Sequence, residues 1–113
     1  VYDGRYRYIV NLTPEATFQN VETKSPLFKE WKSLAETDSH AKAMTTKYQH
    51  RPAIELYDVK NDPYCMKNLA EDAKQASTIS RLDKELKRWM KDCGDEGQPT
   101  ETRAFESMPG KRK

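Results

Sequence analysis

Residues 51–93 have the sequence RPAIELYDVKNDPYCMKNLAEDAKQASTISRLDKELKRWMKDC, which combines a strand pattern, a polar turn and an amphipathic helix pattern. Two sets of side chains alternate here, namely Ile54, Leu56 and Asp58 with Glu55, Tyr57 and Val59. A period of two is typical of a strand with one buried face. The polar segment 60–63 then favours a turn, because Asn and Asp hydrogen-bond nearby backbone and proline cannot donate to a ladder. The sequence therefore predicts a strand that ends before residue 64.

After residue 70 the period changes to that of a helix. One predicted face carries side chains at steps of three or four, namely Ala76, Ile79, Leu82, Leu86, Trp89 and Cys93, with Met90 at its edge. The other face is charged, and Asp83 and Lys87 are spaced for an ion pair. Asp72 is a suitable cap at the start and Gly94 a suitable terminator. This helix needs an apolar surface to pack on, and the strand at residue 54 is the nearest candidate.

Three further local patterns precede this stretch. Asp3 and Gly4, followed by alternating aromatic residues, predict a hairpin. Since only two residues stand before that turn, we expect the chain to be the C-terminal piece of a longer protein. Ser25 and Pro26 predict a helix start, with the helix running to about residue 36. A second short helix is expected from Asp38 or Ser39 to near residue 49.

The composition is polar, with 34% charged residues and a mean hydropathy of −1.04. The net charge of +2 is too small to indicate nucleic acid binding, although Arg5–Tyr8 interleaves cations with aromatic rings. No apolar run reaches the length of a membrane span or a signal sequence. These features indicate one folded domain with a thin core and no membrane partner.

No set of residues in the sequence forms a recognisable catalytic motif. There is no phosphate-binding glycine loop and no Gly-x-Ser-x-Gly elbow. Cys65, Cys93, His40 and His50 lack the close pairing of a structural zinc site, so we expect no metal. The two cysteines are compatible with one disulfide or with two free thiols.

Three motifs together resemble the C-terminal subdomain of the sulfatases. They are GRYRYI at 4–9, ELYDVKNDP at 55–63 followed by NLA at 68–70, and the pattern LxxxLxxWM at 82–90. Their order and spacing match across about 90 residues, and the finer likeness is to the heparan N-sulfatases, or sulfamidases. Cys65 departs from the pattern, which usually has Glu at that position.

The resemblance implies an α+β fold: a small antiparallel sheet of about four strands with the long helix packed across one face. Residues 1–94 would form the subdomain, truncated at its N-terminal side, and residues 95–113 an extended polar tail, anchored through Phe105 or Met108. Sulfatases hydrolyse sulfate esters or sulfamates with a formylglycine made from a Cys/Ser-x-Pro-x-Arg motif, beside calcium. That motif does not occur here. The resemblance therefore places the nucleophile, the formylglycine and the calcium in an absent N-terminal catalytic domain.

The parent protein is accordingly expected to act on sulfated glycans of the heparan-sulfate type, in a periplasmic, secreted or lysosomal location. This chain would complete the substrate cleft, pack on its own catalytic domain and contribute to a homodimer. His50 and Arg51 are the candidate substrate-binding residues, because cations at a loop-to-strand junction suit a polyanionic sugar. The alternative is a stand-alone binding module for acidic glycans or RNA.

Overall fold

The computed structural model describes the backbone of residues 1–106 and the side chains of residues 1–104. The elements in chain order are β1 (Tyr6–Val10), α1 (Pro26–Leu34), α2 (Ser39–Gln49), β2 (Ile54–Asp58), α3 (Ala76–Cys93) and α4 (Gln98–Glu106). Short 3-10 turns at Glu22–Lys24 and Ala73–Gln75 precede α1 and α3. The chain forms two compact units: the first comprises residues 1–12 and the part from residue 54 onward, and the second comprises residues 13–53. None of the helices described is long and apolar enough to cross a membrane.

The sheet in the first unit has two antiparallel strands, with Tyr8 of β1 opposite Leu56 of β2. The predicted hairpin is confirmed: Gly4 has a φ of 96°, and Val1 and Tyr8 exchange backbone hydrogen bonds of 2.8 and 2.9 Å. The prediction of about four strands is wrong for the described residues, which add only one isolated bridge at Tyr2.

At the other edge of β2, the chain returns without forming a strand. The Leu69 N–H donates to the Leu56 carbonyl at 2.7 Å, but the neighbouring bonds to β2 come from the Asn68 side chain. A side chain thus replaces the backbone ladder at this edge, and the returning segment has no strand geometry.

The core of this unit lies between the sheet and α3. Tyr8, Leu56 and Leu82 are its fully buried side chains, and Ile79 and Leu86 pack against them. The predicted helix with its apolar face is confirmed over these positions. The result is the expected α+β arrangement, with a long helix on a small sheet.

Trp89 departs from that prediction, because 59% of it is exposed. The 18 residues of α3 extend about 27 Å, whereas a five-residue strand extends about 17 Å. α3 is therefore longer than the sheet, and Trp89 lies on an exposed part of the helix. Met90, which was predicted at the edge of the apolar face, is half-buried. The side chains of Met90 and Leu12 both lie against Gly97.

Helix ends follow the predicted capping. The Ser25 hydroxyl accepts from the Phe28 N–H at 3.2 Å, with Pro26 in the first turn of α1. Asp38 caps α2 through the Ala41 N–H at 2.6 Å. Asp72 caps the 3-10 turn before α3, and Gly94 ends α3 with a φ of 70°.

Residues 98–106 form α4, so this part of the predicted extended tail is wrong. The start of α4 is favoured because Pro99 stands in its first turn and the Thr100 hydroxyl accepts from the Glu96 N–H at 2.8 Å. The predicted anchors Phe105 and Met108 lie outside the described side chains, and the boundary at residue 94 stays a prediction.

Candidate functional site

Side chains of the ELYDVKNDP segment make contacts that stabilise the fold. Arg5 donates to Asp58 Oδ2 through Nε at 3.1 Å and Nη2 at 2.7 Å, and Asn61 Nδ2 adds a bond of 2.8 Å. The pKa of Asp58 is lowered chiefly because Arg5 hydrogen-bonds the charged carboxylate, with a further contribution from Asn61, while burial opposes it. A carboxylate held by these donors is a poor proton acceptor. Asp58 therefore fixes the end of β2 and does not act as a base.

The turn after β2 is held by side chains in the same way. Asp62 accepts from the backbone N–H groups of Met66 at 3.0 Å and Lys67 at 2.8 Å. The Asn68 Oδ1 atom accepts from the Leu56 N–H at 2.9 Å, and its Nδ2 donates to the Ile54 carbonyl at 3.2 Å. The residues that carry the sulfatase resemblance thus serve the fold.

Tyr57 and Glu55 lie side by side in β2, and both are buried. Burial, assisted by the charge and hydrogen bond of Glu55, raises the pKa of Tyr57 to about 12. The phenol therefore remains neutral at physiological pH and is not available as a base or nucleophile.

Several side chains at and just before β1 are engaged within the fold. Tyr8 is 1% exposed, and Arg5 lies over the Tyr6 ring at 4.8 Å while also pairing with Asp58. The Arg7 guanidinium contacts Cys65 Sγ at 3.6 Å. Tyr8 is therefore not available to stack on a base.

Within the described part of the chain, no three His, Cys, Asp or Glu residues converge on a possible metal position. Cys65 and Cys93 do not form a disulfide, and Cys65 occupies the left-handed region with a φ of 53°. The calcium and formylglycine implied by the resemblance stay predictions for the catalytic domain.

The predicted site residues His50 and Arg51 lie at the end of α2, in the unit of residues 13–53. His50 is exposed, and its backbone N–H donates to the Thr46 carbonyl at 2.8 Å. The Arg51 guanidinium lies 4.6 Å from the centroid of the Phe18 ring. A cation over an aromatic face is held in place without losing its charge. Arg51 is thus accessible and positioned.

Arg51 stands at one end of a row of four aromatic side chains. Ring centroids are separated by 5.8 Å from Phe18 to Tyr48, 5.5 Å from Tyr48 to Phe28 and 6.4 Å from Phe28 to Trp31. The Phe18 N–H fixes the preceding loop to α2 by donating to the Gln49 carbonyl at 2.8 Å. The row joins one loop and two helices.

A cleft of about 200 Å³ opens beside this row, and we call it the Trp31 cleft. Its lining consists of Glu22, Ser25, Leu27, Phe28, Trp31 and Tyr48. The Tyr48 hydroxyl accepts from Asn20 Nδ2 at 3.1 Å, which fixes the phenol. The cleft was not predicted from the sequence, and Phe28 and Trp31, three residues apart on one predicted helix, are the local signal that could have indicated it.

The first unit has a larger and more acidic groove of about 470 Å³ between the start of α3 and the sheet. Asp83 stands on it and is already paired, accepting from the Tyr8 hydroxyl at 3.2 Å and from Lys87 at 2.6 Å. Burial raises the pKa of Tyr8, and the Asp83 charge adds to the effect. Asp83 and Tyr8 in this groove are therefore engaged with each other.

No protein-family model matches the chain. Two curated sulfatases are similar to it over most of its length, so the chain is a sulfatase-related region by distant similarity. Both are described as ulvan-active sulfatases from Formosa agariphila. One is 30% identical over 112 residues, which cover 96% of this chain and 19% of the relative. The other is 32% identical over 95 residues, covering 84% of this chain and 17% of the relative.

The chain therefore spans about a fifth of the length of these relatives. The broad sulfatase resemblance is supported, and with it a hydrolase parent family. The finer likeness to the heparan N-sulfatases finds no support in these matches.

Proposed function

We propose that this chain is the C-terminal accessory region of a sulfatase that removes sulfate from a sulfated polysaccharide. The observation that carries the proposal is the similarity to a sulfatase over 112 residues, which includes the strand, turn and helix motifs. In this reading the catalytic nucleophile and calcium belong to the N-terminal domain of the same polypeptide. The accessory region completes the substrate cleft and does no chemistry itself.

The natural partner of the accessory region is that catalytic domain. In the unit that contains α3, Tyr64 is 85% exposed and Trp89 is 59% exposed. Large exposed aromatic side chains are the kind that gain most from burial in an interface. We propose that they pack on the catalytic domain. Export to a periplasmic, extracellular or lysosomal location and formation of a homodimer remain parts of the proposal.

For the substrate, we propose a sulfated glycan, with ulvan as the first to test because both relatives are described as ulvan-active. Heparan sulfate is the second, on the basis of the motif resemblance. His50 and Arg51 are proposed to meet the polyanion, since both are exposed and Arg51 is a fixed cation. Sulfate groups favour such cations, especially the planar guanidinium.

The test is sulfate release by the full-length protein encoded by the gene, using ulvan and heparan sulfate oligosaccharides in parallel. We expect release from at least one of them, a Cys/Ser-x-Pro-x-Arg sequence upstream of Val1, and no turnover by the 113-residue chain alone. The proposal is overturned if the full-length protein releases no sulfate from either glycan, or if the isolated chain hydrolyses them.

A further inference from the structure

We propose that the Trp31 cleft binds one sugar ring of the sulfated glycan and that Arg51 receives a sulfate carried by a neighbouring ring. This inference rests on the proposed function and adds a contact site within residues 13–53. The contact is made by the accessory region itself, away from any catalytic group.

The aromatic part of the cleft suits the apolar face of a pyranose. Trp31 is 50% exposed and Leu27 is 55% exposed, whereas Phe28 beneath them is 4% exposed. The buried ring and its neighbour Tyr48 hold the exposed surface in place. A rigid aromatic surface loses little conformational entropy when a ligand stacks on it, so little of the binding energy is lost to ordering.

The polar groups of the cleft suit sugar hydroxyls. The Tyr48 oxygen accepts from Asn20, so its own hydrogen can donate to a ligand. The Ser25 oxygen accepts from the Phe28 N–H, which leaves its hydrogen for the same purpose. Glu22 supplies an acceptor on the lining. A few polar groups on an apolar surface are typical of small-ligand sites.

The size of the cleft and the charges around it determine how the glycan is oriented. A cleft of about 200 Å³ is below the usual range for drug-sized ligands, about 300–1,000 Å³, and suits a single ring. Glu22 disfavours a sulfate inside the cleft by like-charge repulsion. Arg51 lies beyond Tyr48, over Phe18. The ring in the cleft is therefore unsulfated near Glu22, and the sulfate lies toward Arg51.

The competing occupant is a protein surface. Leu27, Trp31 and Leu34 recur along α1 at steps of four and three, and Leu34 is 53% exposed. A protein interface would use all three side chains, whereas a sugar in the cleft does not use Leu34, which is absent from the lining. Leu34→Ala is accordingly the matched control for Trp31→Ala.

Binding is tested with the 113-residue chain by tryptophan fluorescence. Trp89→Phe leaves Trp31 as the single tryptophan, and Trp31→Phe leaves only Trp89. The probe is a sulfated tetrasaccharide prepared from ulvan, with the desulfated tetrasaccharide and inorganic sulfate as comparisons. We expect a saturable change in Trp31 emission, weaker with the desulfated sugar and absent with sulfate alone. No saturable change with the sulfated sugar, or an equal change in Trp89 emission, overturns the proposal.

The second test uses the full-length protein. Trp31→Ala is expected to raise KM for the tetrasaccharide about tenfold, equivalent to about 1.4 kcal/mol, and Leu34→Ala to leave it unchanged. An unchanged KM for Trp31→Ala overturns the inference, as does an equal loss of thermal stability in both variants, which would indicate a protein interface. Since the proposed function is judged on sulfate release by the unaltered protein, the two failures are distinguishable.

Discussion

Arg5 and Asp58 join the start of β1 to the end of β2, with two guanidinium nitrogens donating to the single oxygen Oδ2 at 3.1 and 2.7 Å. On the same hairpin, Arg81 of α3 pairs with Asp3, whose Oδ1 also accepts from the Arg5 and Tyr6 N–H groups. These two contacts tie hairpin, sheet and helix together through charged carboxylates. The fold is therefore expected to be sensitive to acid.

The acid sensitivity can be predicted in direction. The hydrogen bond from Arg81, with those from the Tyr6 and Arg5 N–H groups, lowers the pKa of Asp3 from 3.8 to about 2. A carboxyl with a lower pKa in the folded state stabilises the fold above pH 3.8, and this contribution is lost as the pH falls toward 2. Urea unfolding at pH 6, 4 and 3 measures this contribution. As the pH falls, the free energy of unfolding should decrease less for Asp3→Asn than for the unaltered chain.

Arg81→Gln serves as the matched variant for this measurement, because it removes the principal cause of the lowered Asp3 pKa. It should reproduce most of the change in slope. Identical slopes in all three proteins would contradict the assigned role of the Asp3–Arg81 pair.

Asn68→Ala is expected to lower the free energy of unfolding by about 2 kcal/mol, because the buried Leu56 N–H loses its acceptor. The variant also loses the bonds to the Ile54 carbonyl and the Ala70 N–H. Chemical denaturation measures the effect, and Lys67→Ala, in the same exposed turn, is the control. A loss no larger than that of the control would contradict the account of the β2 edge.

Leu82 and Trp89 provide a comparison along one helix. Leu82 is fully buried, so Leu82→Ala should cost about 2–5 kcal/mol. Trp89→Ala should cost less than about 1 kcal/mol in the 113-residue chain, because 59% of Trp89 is exposed. Thermal and urea unfolding of both variants test this. A larger loss of unfolding free energy for Trp89→Ala would support the prediction, made from periodicity alone, that Trp89 packs on the sheet.

Local sequence patterns predicted helix ends and the β2 strand well, because these depend on residues that are close together in the chain. Ser25 and Pro26 mark the start of α1, and Gly94 marks the end of α3. β2 forms at Ile54–Asp58 as predicted, but the prediction of one buried face is wrong: Glu55, Leu56, Tyr57 and Asp58 are all buried, and Ile54 is exposed. The helix ends and the position of the strand each depend on interactions within a few residues, which the sequence displays directly. The prediction for Trp89 was wrong because periodicity does not give the length of the surface on which a helix packs.

Local sequence patterns predicted the candidate site less well. Arg51 was singled out for its charge, but its stacking partner Phe18 lies 33 residues earlier. The Trp31 cleft likewise combines α1, the end of α2 and the turn at Glu22. Contacts between distant segments have no periodic signal in one sequence. The motif residues that gave the sulfatase resemblance, such as Asp58 and Asn68, proved to be structural.

The role of Arg51 gives the last prediction. Arg51→Ala in the full-length protein should raise KM for a sulfated oligosaccharide up to about fivefold at low ionic strength, the range of an exposed charge pair. The effect should shrink as salt is added, since screening weakens exposed charges. Arg51→Lys should retain part of the effect of the charge but lose the flat stacking over Phe18.

Arg88→Ala is the matched control for Arg51→Ala, because Arg88 is an exposed arginine on α3 that pairs with Glu85. It removes the same net charge from a different part of the protein. If both variants raise KM equally, the effect comes from net charge and Arg51 has no specific contact with the glycan. If only Arg51→Ala raises KM, and salt abolishes the difference, a sulfate group binds at the end of the aromatic row.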